Sequence, residues 1–386
     1  MSRVVRRLLA LALGLVAVSG LAFVGASWAH VPAPPTLARL LTTDPSEQGA
    51  LFAGREVENA GAVRALPVAA EPVMPQDVAW KGERVAVADF LATTHTLALV
   101  VLREGEIHAE WYADGLGPAD RLSSWSVAKS VVSLLAGQAI GDGLLSEDDL
   151  LVDVLPELRT GGEYDQITVK DLLDMSSGVA VAENYREWWP FTGTARLFLT
   201  TDLDGFLADH RELVFTPGEK ADYRSVDTQL LGAVVAKVRG ENLATLLGRD
   251  LWGPIGAETT ALWNTDRVSG TEKAFCCLNA TARDFARIGQ LVLDEGRVEA
   301  RQVVPQEWIE RISTPSAEMG ENGYSAQWWH WAGGSGDFSA LGIHGQYVFV
   351  DPATSTVIVK LSDHGTEQDE SETFAALRQI AAAGAP

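Results

Sequence analysis

Ser126 and Lys129 are the residues best placed for chemistry, in the stretch SSWSVAKSVVSLLAG at Ser123–Gly137. Residues three apart on a helix share a face, so the hydroxyl and the amine lie side by side. Ser130 and Ser133 continue the same polar stripe. A serine hydroxyl is a weak nucleophile at its free pKa and needs an adjacent base. A lysine partly desolvated beside an apolar helix loses its proton near neutral pH and can serve as that base. Ser126 in the first helical turn also gains from the helix dipole, which favours a developing alkoxide. The tetrad S-x-x-K occurs by chance in many chains, so it needs company.

Tyr223 supplies it. In FTPGEKADYRSVDTQLLG (Phe215–Gly232) a Pro-Gly turn brings the tyrosine just ahead of a helix, where its phenol projects towards a cleft. A phenol near the lysine can shuttle a proton between serine and leaving group. Rival chemistries lack their signatures. No G-x-S-x-G elbow occurs, and none of the seven histidines stands in H-E-x-x-H. No metal and no cofactor is expected. Cys276 and Cys277 are adjacent, which suits a disulfide poorly, so both read as buried thiols. Two Trp-rich patches, NYREWWPFTG with Trp188 and YSAQWWHWAGG with Trp328, are candidate pocket walls, although aromatic clusters more often fill interiors.

These side chains must be positioned by a sizeable fold. The 386 residues are 47% apolar, enough for a large core. A formal net charge of -22 repels phosphate backbones and argues against nucleic-acid binding. MSRVVRR precedes 22 uncharged residues, Leu8 to Ala29. Residues 1–29 therefore read as an export signal, with Ser27-Trp28-Ala29 as cleavage site, or as an uncleaved membrane anchor, which their length favours. Either way the remaining chain works outside the cytoplasmic membrane and touches it only through this segment. Residues 30–80 read as a tether and irregular lead-in.

From Thr96, TLALVVL and IHAEWYA flank REGE, the pattern of a β-hairpin. The Ser126 helix follows and stops at GDG, and residues 151–312 look mainly helical. GQYVFVDP and STVIVKLSD predict a second hairpin, and a last helix covers about 370–383. The fold class is α+β (an α/β sandwich). Residues 81–150 and 313–386 build an antiparallel sheet from both chain ends, flanked by helices, and 151–312 form an inserted helical domain. The cleft between the two parts is the expected site.

SVAK, ITVKDLLDMSSGV, FTPGEKADYRS and GIHGQYVFVDP, in this order, resemble the motifs of the serine beta-lactamase-like hydrolases. That group includes class C beta-lactamases, D-alanyl-D-alanine carboxypeptidases, family VIII esterases and 6-aminohexanoate-dimer hydrolases. LVVLREGEIHAEWY, YRSVDTQLLG and CCLNATARDFARIGQLVL resemble the 6-aminohexanoate-dimer branch, and the likeness runs from about Trp80 to the C-terminus. It implies a beta-lactamase/transpeptidase-like fold and a serine hydrolase that cleaves a small amide or ester through an acyl-enzyme. Ser126 would be the nucleophile, Lys129 its activating neighbour and Tyr223 the general base and acid. The backbone N–H groups of Ser126 and Ile343 would form the oxyanion hole, with Gly345 letting the backbone come close. Tyr185 would help bind the amide. Two departures stand out. Tyr223-Arg224-Ser225 replaces Y-x-N, leaving Ser225 where an amide donor is expected, and no K-T-G or H-T-G triplet precedes GIHGQYVF. His344 is the basic group nearby, either in the site or facing elsewhere on its strand. The departures disfavour beta-lactam turnover and leave a second reading, a penicillin-binding-type cell-envelope module with little or no turnover.

Overall fold

TLALVVL and STVIVKLS are apolar without alternation, the pattern of strands covered on both faces. The computed structural model, which describes residues 3–184, 192–365 and 369–383, pairs them at the heart of one sheet. β1 (Thr96–Arg103) and β2 (Glu106–Tyr112) form the first hairpin. β3 (Ala317–Met319), β4 (Asn322–Ser325), β5 (Trp328–His330), β6 (Phe338–Gly342), β7 (Gln346–Asp351) and β8 (Thr356–Ser362) come from the other end of the chain. The strands order β3-β4-β5-β6-β7-β8-β1-β2, all antiparallel. Both expected hairpins are present, and Val359 of β8 lies opposite Val100 of β1 and Val348 of β7.

Alternation along these strands feeds two cores. Leu99, Val101, Tyr347, Phe349 and Ile358 pack on one face with Phe374, Leu377 and Ile380 of the C-terminal helix, Glu370–Ala382. Val100, Val348, Val350, Val357 and Val359 face the larger core, which takes in the Ser126 helix, α1 (Val127–Gly141). A second helix on the site side, α2 (Ser225–Arg239), packs on α1. α3 (Ala282–Leu293), grouped by sequence with the middle helical stretch, packs instead on the sheet at β1, β7 and β8. Gly289 permits the approach: a Cβ there would lie 2.4 Å from Val357 Cγ1.

The lead-in is more ordered than a tether. Gly54–Val57 pairs antiparallel with Ala261–Asn264, opening a small sheet completed by Leu278–Ala280 and Leu122–Ser123. Two of its four strands, Ala261–Asn264 and Leu278–Ala280, lie within the stretch expected to be helical. ITVKDLLDMSSG also yields less helix than its apolar spacing predicts. A Thr168–Asp171 capping box starts Val169–Leu173, and the left-handed backbones of Met175 (φ 58) and Gly178 (φ 76) then turn the chain. The N-terminal helix covers Arg3–Trp28, and among the described residues no helix is long and apolar enough to cross a membrane. The anchor reading therefore gains no support from the fold.

α1 is buried from Val127 to Ala139. Replacing a helix-interior glycine by alanine ordinarily stabilises by about 1 kcal/mol. At Gly137 the sign reverses, because a Cβ would sit 2.2 Å from the buried Trp308 ring. Gly137→Ala is expected to destabilise by about 1–3 kcal/mol through overpacking. Thermal unfolding checks this, and a raised Tm would show that the α1–Trp308 contact can give way.

Candidate active site

Ser126 occupies the N-cap of α1, just after Trp125, whose backbone is left-handed (φ 45). That bend presents the hydroxyl at the head of the helix. One turn on, the apolar surroundings of α1 bury Lys129 to 1% exposure. Its Nζ donates to Ser126 Oγ at 2.8 Å and to the Phe275 carbonyl at 2.8 Å. Tyr223, which leads into α2, lies with its ring centroid 5.1 Å from the same Nζ. The three residues named from sequence meet at one point.

Their electrostatics differ in a way the sequence did not disclose. Burial pushes the Lys129 amine down to about 7, opposed by the negative charge of Glu183. Burial and then Glu183 push the Tyr223 phenol far above its ordinary range, with a hydrogen bond to Ser126 pulling the other way. At neutral pH the phenol keeps its proton while much of the amine is free. The arrangement therefore suits Lys129 as proton acceptor and Tyr223 as donor. Both roles implied for Tyr223 begin from this protonated phenol beside Ser126 and Lys129.

The β6–β7 turn closes the other side. Gly342 approaches the Ser126 loop so closely that a Cβ would lie 2.8 Å from the Ser124 carbonyl, and Gly345 turns the chain with φ 82. Ile343, between them, lines the same cavity as Ser126, a chamber of about 410 Å³. Its walls are mostly apolar: Phe198, Phe275, Ile343, and Leu37, Leu40 and Leu41 of the lead-in.

Residues 86–382 match the family model described as beta-lactamase. The chain belongs to the beta-lactamase family. It is 33% identical over 327 residues to the 6-aminohexanoate-dimer hydrolase of Paenarthrobacter ureafaciens, covering 77% of this chain and 82% of that one. Among solved structures, a Bacillus anthracis protein assigned as a 6-aminohexanoate-dimer hydrolase superposes with a TM-score of 0.76 at 23% identity, covering 86% of this chain and 91% of its own. A class C beta-lactamase superposes with a TM-score of 0.59 at 15% identity, covering 76% and 94%. These two likenesses show the beta-lactamase/transpeptidase-like fold.

Within this family frame the remaining expected residues divide. Ser225 lines the cavity, and its N–H and Oγ donate to Glu183 at 2.8 and 2.7 Å. Arg224 turns away, donating to the carbonyls of Val179 and Val181. His344 reaches the cavity wall edge-on to Trp125 at 4.6 Å, its Nδ1 paired with the His364 carbonyl. Trp328 is a correction. It is wholly buried against Phe338, in the larger core. Strand alternation turns its neighbour Trp329 to the site instead, stacked on Tyr223 at 5.5 Å. Tyr185 and Trp188 lie outside the described residues. The cysteines are a second correction: Cys276 and Cys277 form a disulfide, and Cys276 lines the cavity. Among the described residues, no group of three or more His, Cys, Asp or Glu is placed to hold a metal.

Sequence reasoning missed Glu183. It also accepts from Thr194 Oγ1 at 2.7 Å, and its carboxylate bears on both Lys129 and Tyr223. No periodicity marks it, and its one signal is its place at the edge of the NYREWW patch.

A protonated Lys129 cannot accept the Ser126 proton, so kcat/KM should rise with pH through about 7. Glu183 favours the ammonium, so Glu183→Gln should move this acid limb to lower pH. A pH profile of both proteins checks the sign, and a shift to higher pH would contradict it.

Proposed function

We propose that the chain is a serine hydrolase that cleaves small amides or esters through an acyl-enzyme. The observation that carries the reading is the 2.8 Å hydrogen bond between Ser126 Oγ and a buried lysine whose amine is held near 7. Neutral Lys129 takes the Ser126 proton as Oγ attacks the substrate carbonyl. The N–H groups of Ser126 and Ile343 hold the oxyanion. Tyr223, still protonated, gives its proton to the departing amine or alkoxide and is reprotonated from Lys129. Water then attacks the acyl-enzyme, the same groups carrying its proton, and the acid leaves.

The character of the substrate follows from the walls. Leu37, Leu40, Leu41, Phe198 and Phe275 offer apolar surface next to the nucleophile, so the site suits a compact substrate with an apolar chain beside the scissile carbonyl. Kinship with a protein named for hydrolysis of 6-aminohexanoate dimer supports linear amides among them. Lack of a K-T-G triplet and the turning away of Arg224 speak against efficient beta-lactam turnover. The basic-then-apolar N-terminus supports work outside the cytoplasmic membrane.

The test is a pre-steady-state burst with p-nitrophenyl butyrate on the full chain and on Ser126→Ala. A burst followed by steady release is expected, with turnover lowered at least about 10³-fold in the variant. A burst that stops after one equivalent would favour a penicillin-binding-type module. Undiminished turnover in the variant would remove Ser126 as nucleophile.

A further inference from the structure

The proposed mechanism makes no use of Cys276 and Cys277, yet the turn that carries them bonds to Lys129 and to the loop that leads into Ser126. Phe275, directly before the pair, supplies the carbonyl that accepts from Lys129 Nζ at 2.8 Å. Leu278, directly after it, accepts from Ser124 N at 2.9 Å and donates to Ser124 Oγ at 3.2 Å, two residues before Ser126. Between them the disulfide joins neighbouring residues whose Cα atoms are 3.7 Å apart, and Cys277 is left-handed, with φ 68. A side chain bearing a Cβ holds that backbone region only when its surroundings impose it. Some of that imposition comes from hydrogen bonds: Trp263 Nε1 donates to the Cys276 carbonyl at 3.1 Å, and Asn264 N and Asn279 Nδ2 each donate to the Cys277 carbonyl at 3.0 Å. The covalent link between the two side chains supplies the rest, because it closes a small ring around the peptide bond between them.

We propose that the Cys276–Cys277 disulfide is a positioning element for the Ser126–Lys129 pair, and that a dithiol reductant slows the enzyme reversibly by releasing the turn. The proposal rests on the serine-hydrolase reading above. Cys276 is buried to 3% exposure but lines the cavity, which is the proposed route of a small reductant to its Sγ. A reductant thiolate attacks Cys276 Sγ, and Cys277 leaves as a thiolate that takes up a proton. The second thiol of the reductant then displaces Cys276 and closes a cyclic disulfide. Two electrons pass from reductant to protein, giving two protein thiols. With the link broken, the Phe275 carbonyl is free to move off Lys129 and Leu278 to move off Ser124. Glu183, from the segment ahead of α2, and Tyr223, at the start of α2, are the other titratable groups bearing on Lys129, and neither is attached to this turn. Their influence stays in place when the turn is released.

The experiment compares the full chain before and after dithiothreitol, with the reductant removed by anaerobic desalting because thiols cleave p-nitrophenyl esters. Iodoacetamide labelling and mass spectrometry count thiols. None is expected before reduction and two after it. On p-nitrophenyl butyrate, kcat/KM is expected to fall about tenfold or more, the scale of a misplaced catalytic group. The acid limb is expected to move to lower pH, since the ammonium loses an acceptor that favours it. Reoxidation with oxidised glutathione should restore both. A Cys276→Ser/Cys277→Ser variant should match the reduced enzyme and ignore dithiothreitol; should it fail to fold, the reduction cycle on the native chain decides alone. Two thiols in the untreated protein, or a reduced protein with unchanged kcat/KM and acid limb, would overturn the proposal. A fall in Tm alone would do the same, leaving the bond a mere staple. An oxidised chain that fails to react with a fluorophosphonate at Ser126 would overturn the hydrolase reading itself, and this one with it.

Discussion

The site depends on keeping one ammonium group out of water. A lysine in solution holds its proton well above neutral pH and activates nothing. At Lys129 the apolar body of α1 and the sheet behind it remove solvent, and the charged form loses more from that removal than the neutral one. Burial alone does not make a base, however. Lys273 and Lys360 are also buried and also pushed down to about 7. Lys360 even donates to a serine, Ser362 Oγ at 2.6 Å, but both are buried and neither is among the residues lining the cavity. What sets Lys129 apart is a partner serine that lines a chamber of about 410 Å³.

The sheet supplies the second half of the geometry. Because β8 pairs with both β7 and β1, the chain's two ends are locked side by side, and the β6–β7 turn is carried to the Ser126 loop. Glycine at position 342 turns that meeting into close backbone contact. A side chain there would press on the Ser124 carbonyl and hold the two segments apart. The helices of the middle stretch then bring Tyr223 from the opposite side, with Glu183 tying the start of α2 to Thr194. Three separate parts of the chain thus converge around Ser126 and Lys129.

The legible parts of this design are those written in local spacing. Ser126 and Lys129 could be paired from their separation alone, and the hairpins at 96–112 and 346–362 from their apolar runs. What escaped was set by partners distant in sequence. Trp328 and Trp329 look equivalent in QWWHW, and only the register of β5 against its neighbours decides which faces the core. α3 has the periodicity of any amphipathic helix, and nothing local tells the sheet from the helical layer as its partner. The Cys276–Cys277 link runs against the preference of adjacent cysteines and depends on a left-handed residue held by Asn264 and Asn279. Glu183 owes its influence to low dielectric, which no sequence window reports.

Leu37, Leu40 and Leu41 give the chamber a wall that lies outside residues 86–382, the span shared with the family. Part of the wall beside the reacting groups thus comes from a stretch of chain separate from the one that carries them. Substitutions in the lead-in can reshape what enters without disturbing the serine, the lysine or the sheet that holds them. The lead-in of this chain is therefore a boundary of its reaction chamber as well as a connection to the N-terminal helix.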